Sequence, residues 1–289
     1  MLKGKNKGIM YIIMAAFCFA FMNLFVKLAG DLPAIQKSFF RNIVAVFFAF
    51  AVLKRERIPF RIPEGSLGYL LGRSIMGTVG VFANFYAIGK LNIADASMLN
   101  KLSPFFAIIF SYFILKEKIK PYQFMCVFTA FLGTIFILRP GVDQLISVPA
   151  LIGVVGGLGA GFAYTCVRAA SAKGAPGPLI VFFFSAFSCI SAIPFIIVDH
   201  EPMSGWQVIS LLLAGLSATG GQFSITAAYT HAPAREISVY DYTQIIFAAL
   251  LGFFFLGEVP DMFSIIGYVI IIGAGVAMFM IRKKKESVQ

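Results

Sequence analysis

Hydrophobic and polar positions divide the chain into long apolar stretches separated by short polar connections. Each stretch is about 17 to 25 residues long, which is the length a helix needs to cross a bilayer. Backbone in lipid must satisfy its own hydrogen bonds, so such stretches span as helices. The pattern therefore predicts an all-α integral membrane protein with ten transmembrane helices, at about 9–29, 34–53, 66–88, 93–115, 121–138, 149–170, 177–198, 205–230, 236–256 and 262–281.

The second half of the chain repeats the first at a shift of 141 residues. The matched pairs include Ser97 with Ser238, Phe106 with Phe247, Leu115 with Leu256 and Glu117 with Glu258. At the same shift Asn100 corresponds to Asp241. This predicts two five-helix repeats, 1–141 and 149–282, followed by a basic tail, 283–289. Because five is odd, the second repeat inserts upside down relative to the first, which is a recurring plan among secondary transporters.

Charge is scarce and unevenly placed. Only 13% of residues are charged, against about 25% in soluble domains. The net charge of +11 comes from short basic clusters between the apolar stretches. Their alternation predicts cytoplasmic N- and C-termini in a multi-pass plasma-membrane protein, and no nucleic-acid partner. The four cysteines lie in apolar stretches without metal-ligand spacing, so we expect neither a metal site nor a disulfide.

Several short motifs resemble one known family. They are ADAS at Ala94–Ser97, SPFFA at Ser103–Ala107, LKEKI at Leu115–Ile119, GTIFILRPG at Gly133–Gly141 and LGEVP at Leu256–Pro260. The chain thereby resembles EamA-type members of the drug/metabolite transporter superfamily. Arg73, Gly77 and NFYAI at Asn84–Ile88 are also similar to the G branch of solute carrier family 35. The resemblance implies ten helices in two repeats and alternating-access transport of small metabolites, without naming a substrate.

Four charged residues lie deep inside predicted helices: Arg41, Arg73, Lys101 and Asp241. Embedded charge costs about 2.5 to 3.5 kcal/mol on insertion scales and usually faces the bundle interior. Depth permits a pair between Arg73 and Asp241, which leaves Arg41 and Lys101 for a substrate carboxylate or phosphate. The competing interpretation is that the three cations snorkel to the headgroups.

Polar uncharged residues supply further candidates. Asn84, Asn100, Gln222 and Tyr240 are predicted to contact substrate, and hydrogen bonding between helices is their alternative role. Asn23, Tyr86, Tyr164 and Gln244 are weaker candidates of the same kind. Three glycines spaced four apart, Gly153, Gly157 and Gly161, indicate close helix packing. Pro104 is expected to kink its helix beside Lys101.

These features predict a secondary active transporter of a small organic anion, rather than an enzyme, since no hydrolase or nucleotide-binding motif is present. The four embedded charges sum to +2, which favours an anion. A zwitterion or amino-acid exporter is the alternative, and a channel or lipid scramblase is the alternative of another class. The expected partners are a small-molecule substrate and the lipid bilayer, with the protein a monomer or homodimer. No cofactor is expected, and proton coupling through Asp241 is a hypothesis.

Overall fold

The computed structural model describes residues 2–116, 121–138, 147–198, 200–232, 237 and 240–286, and these are helical apart from short connections. We number eleven helices in chain order: α1 Leu2–Leu28, α2 Ala34–Arg55, α3 Leu67–Lys90, α4 Ile93–Asn100, α5 Ser103–Ile114, α6 Pro121–Leu138, α7 Val148–Ala172, α8 Gly177–Val198, α9 Gly205–His231, α10 Thr243–Leu256 and α11 Met262–Glu286.

The helices coincide with the apolar stretches. Within the described residues, seven segments are long and apolar enough to cross a membrane, counting α4 and α5 together as Ile93–Ile114. The other three predicted spans correspond to α3, α6 and α10. Ten spans thus remain a prediction, whereas the all-helical, multi-pass architecture is confirmed.

The main helix pairs join one half of the chain to the other. The most extensive contacts are α1 with α9, α2 with α8, α3 with α7, and α6 with α11. Exchanging each helix for its counterpart 141 residues away leaves this set of pairs unchanged. Neither half therefore has a core of its own, because the apolar face of each helix is covered mainly by the opposite half.

The paired helices α3 and α7 run antiparallel. Gly72, early in α3, lies against Phe162 and Cys166, late in α7, whereas Gly153, early in α7, lies against Ala87, late in α3. This order requires the two helices to point in opposite directions. Helices α1 and α9 behave in the same way, because residues 8 and 18 lie against residues 232 and 220, respectively.

The predicted span 93–115 is interrupted, which the apolar pattern did not predict. Helix α4 ends at Asn100 and α5 begins at Ser103, and the N–H of Lys101 bonds both to the carbonyl of Ser97 at 3.0 Å and, at three-residue spacing, to that of Met98 at 2.9 Å. This three-residue spacing marks a tightened turn. Pro104 follows at the second position of α5, where its missing N–H costs little. Tyr242, the counterpart of Lys101, is likewise a turn residue before α10.

Glycines on α7 let that helix lie directly against the interruption. A Cβ at Gly157 would be 2.6 Å from the carbonyl oxygen of Leu99 and 3.5 Å from that of Asn100. One turn on, Gly161 lies against the backbone of Ser103. The tandem glycines therefore have the packing role that the sequence predicts, and they hold the interruption in place.

We expect Gly161→Ala to destabilise the protein. The new Cβ would lie 2.6 Å from Cβ of Phe106 and 2.7 Å from the Ser103 carbonyl oxygen, closer than van der Waals contact allows. Overpacking of this kind costs about 1 to 3 kcal/mol. The matched control is Gly273→Ala, in α11, where an added Cβ meets nothing within 4 Å. Thermal unfolding in detergent measures both, and equal melting temperatures would contradict the packing described here.

Candidate functional site

A cavity lies between the two halves, with about 580 Å³ of space not filled by atoms, counted out to its mouth. Its walls come from α1, α2, α3, α7, α8 and α9, together with the interruption after α4 and the start of α10. Six of the eight substrate-contact candidates line it: Arg41, Arg73, Asn84, Asn100, Lys101 and Gln222. The fold thus collects residues from distant parts of the sequence around one space.

Arg73 projects from α3 into this cavity and is 4% exposed. Its Nη2 donates a hydrogen bond of 2.9 Å to Oε1 of Gln222. The guanidinium carbon lies 3.8 Å from the centre of the Phe184 ring, a cation–π geometry. Gly77, one turn along α3, leaves room for the guanidinium, since an added Cβ there would collide with it.

Arg41 approaches the same ring from α2 and is 2% exposed. Its guanidinium carbon lies 5.8 Å from the Phe184 centroid, and its Nη1 donates to Oδ1 of Asn42 at 2.9 Å. Asn42 is fixed in turn by donating to Oγ of Ser188 at 2.7 Å. The Phe184 ring thus lies against two guanidiniums, which we call the arginine pair, Arg41 and Arg73.

The arginine pair has no carboxylate partner within the described part of the chain. The Nε atoms of Arg41 and Arg73 are also buried without a hydrogen-bond partner there. Buried charges are normally paired. Two positive groups facing one cavity without a counter-ion make that cavity attractive to an anion.

Lys101 and Asp241 form a buried ion pair. The Nζ of Lys101 lies 2.7 Å from Oδ1 of Asp241, with side-chain exposures of 4% and 1%. This corrects the pairing of Arg73 with Asp241 that depth permitted. The reason is that α4 packs on α10, so the two interruptions of the repeats lie side by side. Lys101 is consequently neutralised, and Arg73 takes its place as an unpaired cation.

The remaining candidates divide into two groups. Asn84 is buried beside the cavity with no partner for its Oδ1 among the described residues, and Asn100 is half-buried at the interruption. Tyr240 lies apart from the cavity lining and packs edge-to-face on Phe279, with ring centres 6.0 Å apart. Contact between Tyr240 and substrate therefore stays a prediction.

Some cavity residues were weaker candidates or were missed. Asn23, Tyr164 and Gln244, which the sequence offers only as secondary candidates, all line the cavity. Phe184 was missed, although its ring contacts both members of the arginine pair. A phenylalanine in an apolar helix carries no signal that distinguishes it from a lipid-facing one.

Motif residues outside the cavity connect helices. Tyr268 donates its hydroxyl to Oδ1 of Asp95 at 2.7 Å, and Asn23 donates its amide to Oγ of Ser97 at 3.0 Å. These buried bonds tie α4 to α11 and to α1. The polar residues of the ADAS motif therefore hold α4 in position. The residues that line the cavity, Asn100 and Lys101, follow this motif in the chain.

Glu258 joins three chain segments at one end of the helix bundle. We call this end the acidic-loop face, and it is formed by the connections 29–33, 91–92, 200–204 and 257–261. Its Oε1 lies 3.4 Å from Nζ of Lys27, and its Oε2 accepts from the N–H of Ile93 at 2.8 Å. Lys27 also donates to the carbonyls of Ile88 and Leu91. This network anchors the ends of these helices to one another, whereas Glu117, the counterpart of Glu258, lies outside the described residues.

Comparisons with known proteins agree with this architecture. The model of the EamA-like transporter family matches residues 6–139 and again residues 148–281. The pseudopaline exporter CntI of Pseudomonas aeruginosa is 32% identical over 280 residues, covering 96% of this chain and 98% of its own. Human solute carrier family 35 member G1 is 24% identical, covering 97% and 80%. A riboflavin transporter of Rhizobium johnstonii is 24% identical, covering 96% and 91%.

A solved crystal structure shares the fold. It superimposes with a TM-score of 0.72 at 14% sequence identity, covering 97% of this chain and 99% of the other.

Proposed function

We infer that this chain, which belongs to the EamA-like transporter family, is a secondary active transporter that moves a small organic anion by alternating access. Relatives that match nearly the whole chain are named as transporters or exporters of small molecules. The chain is a multi-pass membrane protein with a polar cavity between its halves. These findings support transport, and the cavity chemistry supports the choice of an anion.

The observation that carries this proposal is the arginine pair. Arg41 and Arg73 are buried, face one cavity, and have no carboxylate partner among the described residues. Lys101 contributes no net attraction because Asp241 already neutralises it. A carboxylate or phosphate satisfies the planar donor fork of a guanidinium better than any neutral group. Asn84, Asn100 and Gln222 then supply donors and acceptors for the remainder of the substrate.

The arrangement of the repeats supports alternating access. The helix pairs are preserved when the halves are exchanged, and paired helices run antiparallel, as an inverted repeat requires. Both halves interrupt their fourth span beside the cavity, and interrupted helices of this kind line the sites of many transporters. We propose that one half rocks against the other around the Lys101–Asp241 pair. The distribution of basic residues supports cytoplasmic termini in the plasma membrane.

A zwitterion exporter is the second candidate. The pseudopaline exporter among the relatives supports export. A substrate ammonium would need an accessible carboxylate, and beyond the contact with Lys101 neither oxygen of Asp241 has a hydrogen-bond partner in the described part. However, Asp241 lies behind Lys101 and outside the cavity lining. The geometry therefore favours the anion.

A channel or scramblase is favoured less. Either would need a continuous polar path, whereas apolar side chains, among them Phe19, Met22 and Phe85, share the cavity wall. On the acidic-loop face, Lys27 and Glu258 link the ends of α1, α3 and α4. A channel would be excluded if uptake is saturable and becomes faster when substrate is also present on the opposite side of the membrane.

The first test is ligand-induced thermal stabilisation of the purified protein. The panel contains mono-, di- and tricarboxylates, phosphorylated metabolites, amino acids and organic cations. A ligand at 100 times its dissociation constant stabilises the folded state by about 2.7 kcal/mol, which is a readily measured shift. We expect the net-anionic carboxylates and phosphorylated metabolites to stabilise it, and the zwitterionic amino acids and the organic cations to leave its stability unchanged. Stabilisation by cations alone would contradict the proposal and point to Asp241.

A further inference from the structure

A second cavity opens on the acidic-loop face between α2 and α3. We call it the vestibule; its space not filled by atoms is about 800 Å³, counted out to solvent. The polar and aromatic residues that line it are Asp31, Lys37, Phe85, Tyr86, Lys90 and Glu201. It lies above the central cavity, because α2 passes from Lys37 in the vestibule to Arg41 in the central cavity.

Lys37 is the buried charge of the vestibule and is 2% exposed. Its Nζ donates to the carbonyl of Gly30, and within the described residues it has no carboxylate in ion-pair contact. An ammonium group has three donors, so one backbone bond leaves capacity for a ligand. The sequence carries no signal for Lys37, since a lysine at the fourth position of a helix is normally solvated.

Lys37 and Arg41 place two positive charges on the same side of α2. Residues four apart lie on the same face of a helix, about 6 Å apart along its axis at 1.5 Å per residue. Lys37 faces the vestibule and Arg41 faces the central cavity. An anion that leaves Arg41 therefore finds a second positive charge, Lys37, about 6 Å further along α2.

Phe85 separates the two spaces. Its side chain is 1% exposed and contributes to the wall of both cavities. The rim is fixed, because Gln36 donates to the carbonyl of Glu201 at 2.8 Å and accepts from its N–H at 3.1 Å. The aromatic side chain of Phe85 is thus the part whose rotation would join the two cavities.

We propose that the vestibule is a second, shallower anion site, centred on Lys37, through which substrate enters or leaves the central cavity past Phe85. This inference rests on the proposed function. Asp31 and Glu201 are exposed at the rim and oppose anion binding there, and Lys90 is an exposed cation of the same lining. The positive charge that attracts an anion is therefore the buried Lys37 and not the rim. The ligand is a carboxylate or phosphate that also fits the central cavity.

The test compares Lys37→Gln with Lys54→Gln, a removal of the same charge from the exposed far end of α2. Succinate uptake into proteoliposomes gives KM and kcat, and calorimetric titration with succinate gives the equilibrium Kd. A lost cation on the entry path lowers the local anion concentration, so we expect KM to rise about three- to tenfold. We expect kcat and Kd to stay within about twofold, as in Lys54→Gln, and Lys37→Arg to restore the low KM.

Three outcomes decide whether the vestibule is an anion site. If Lys37→Gln behaves like Lys54→Gln while the unmodified protein binds and carries succinate, the vestibule site is wrong and the transporter proposal stands. If KM and Kd rise together, Lys37 belongs to the central site and the second site is wrong. If the unmodified protein neither binds nor carries succinate, and no anion of the panel stabilises it, the proposed function fails together with this inference.

Discussion

Arg73→Gln is expected to weaken anion binding strongly without destabilising the fold. Truncating one partner of a buried charged contact costs about 2 to 5 kcal/mol in binding, which is roughly 30- to 5,000-fold in Kd. Arg73 has no carboxylate partner in the described part of the chain, so glutamine removes a buried charge whose burial is not compensated by an ion pair. Ligand-free thermal stability should therefore be unchanged or higher. Titration calorimetry and thermal unfolding measure the two effects separately.

Arg41→Gln should behave like Arg73→Gln, because both guanidiniums flank Phe184. Arg73→Lys keeps the charge but loses the planar fork, so we expect it to recover only part of the affinity. Arg61→Gln, in an exposed connection, is the matched control for loss of one positive charge. Wild-type affinity in both glutamine variants would show that the arginine pair is structural.

Breaking the Lys101–Asp241 pair is expected to have the opposite effect on stability. Removing one member of a buried ion pair leaves the other uncompensated and costs about 3 to 5 kcal/mol. We therefore expect Lys101→Met and Asp241→Asn each to lower the melting temperature strongly. The double variant Lys101→Met/Asp241→Leu should regain most of the loss, since apolar replacement of a whole pair is often neutral. A double variant as unstable as either single one would contradict this account.

Asp241→Asn also tests proton coupling. Among the described residues, the groups within electrostatic reach of Asp241 are Lys101, Tyr164, Tyr229 and Tyr242. Of these, Lys101 is the group in ion-pair contact, so protonation of Asp241 would release Lys101 toward the cavity. We expect Asp241→Asn to abolish uptake driven by a pH gradient, and uptake with unchanged gradient dependence would refute the hypothesis. Substrate counterflow measured without a pH gradient distinguishes a loss of proton coupling from a loss of substrate binding.

The helical architecture follows from the sequence because burial in lipid imposes one pattern on every span. The interruption at Lys101 and Leu102 does not follow from the sequence. Both residues keep helical φ angles of −75° and −71°, and the backbone departs from the α-helix in ψ, which is 6° and −15°. A change in ψ and in hydrogen-bond spacing leaves the apolar pattern of the sequence unaltered. Pro104 indicated the place but suggested a kink within one helix.

The members of the site could be predicted better than their partners. Embedded charge is costly wherever it occurs, so Arg41, Arg73, Lys101 and Asp241 are identifiable from the sequence alone. Which cation pairs with Asp241 depends on how α4 packs on α10, and depth along separate helices does not determine it. Phe184 and Lys37 were missed because an aromatic residue and a lysine near a helix end look ordinary in any membrane segment.

The pairing of helices between halves also sets the order in which the protein can be built. During synthesis α1, α2 and α3 enter the membrane before their principal partners α9, α8 and α7 exist. Until then their buried polar residues, including Arg41 and Arg73, must be tolerated by lipid, water or the insertion machinery. Assembly therefore waits for the last helices, and two separately expressed halves should be degraded alone and recovered only when they are produced together.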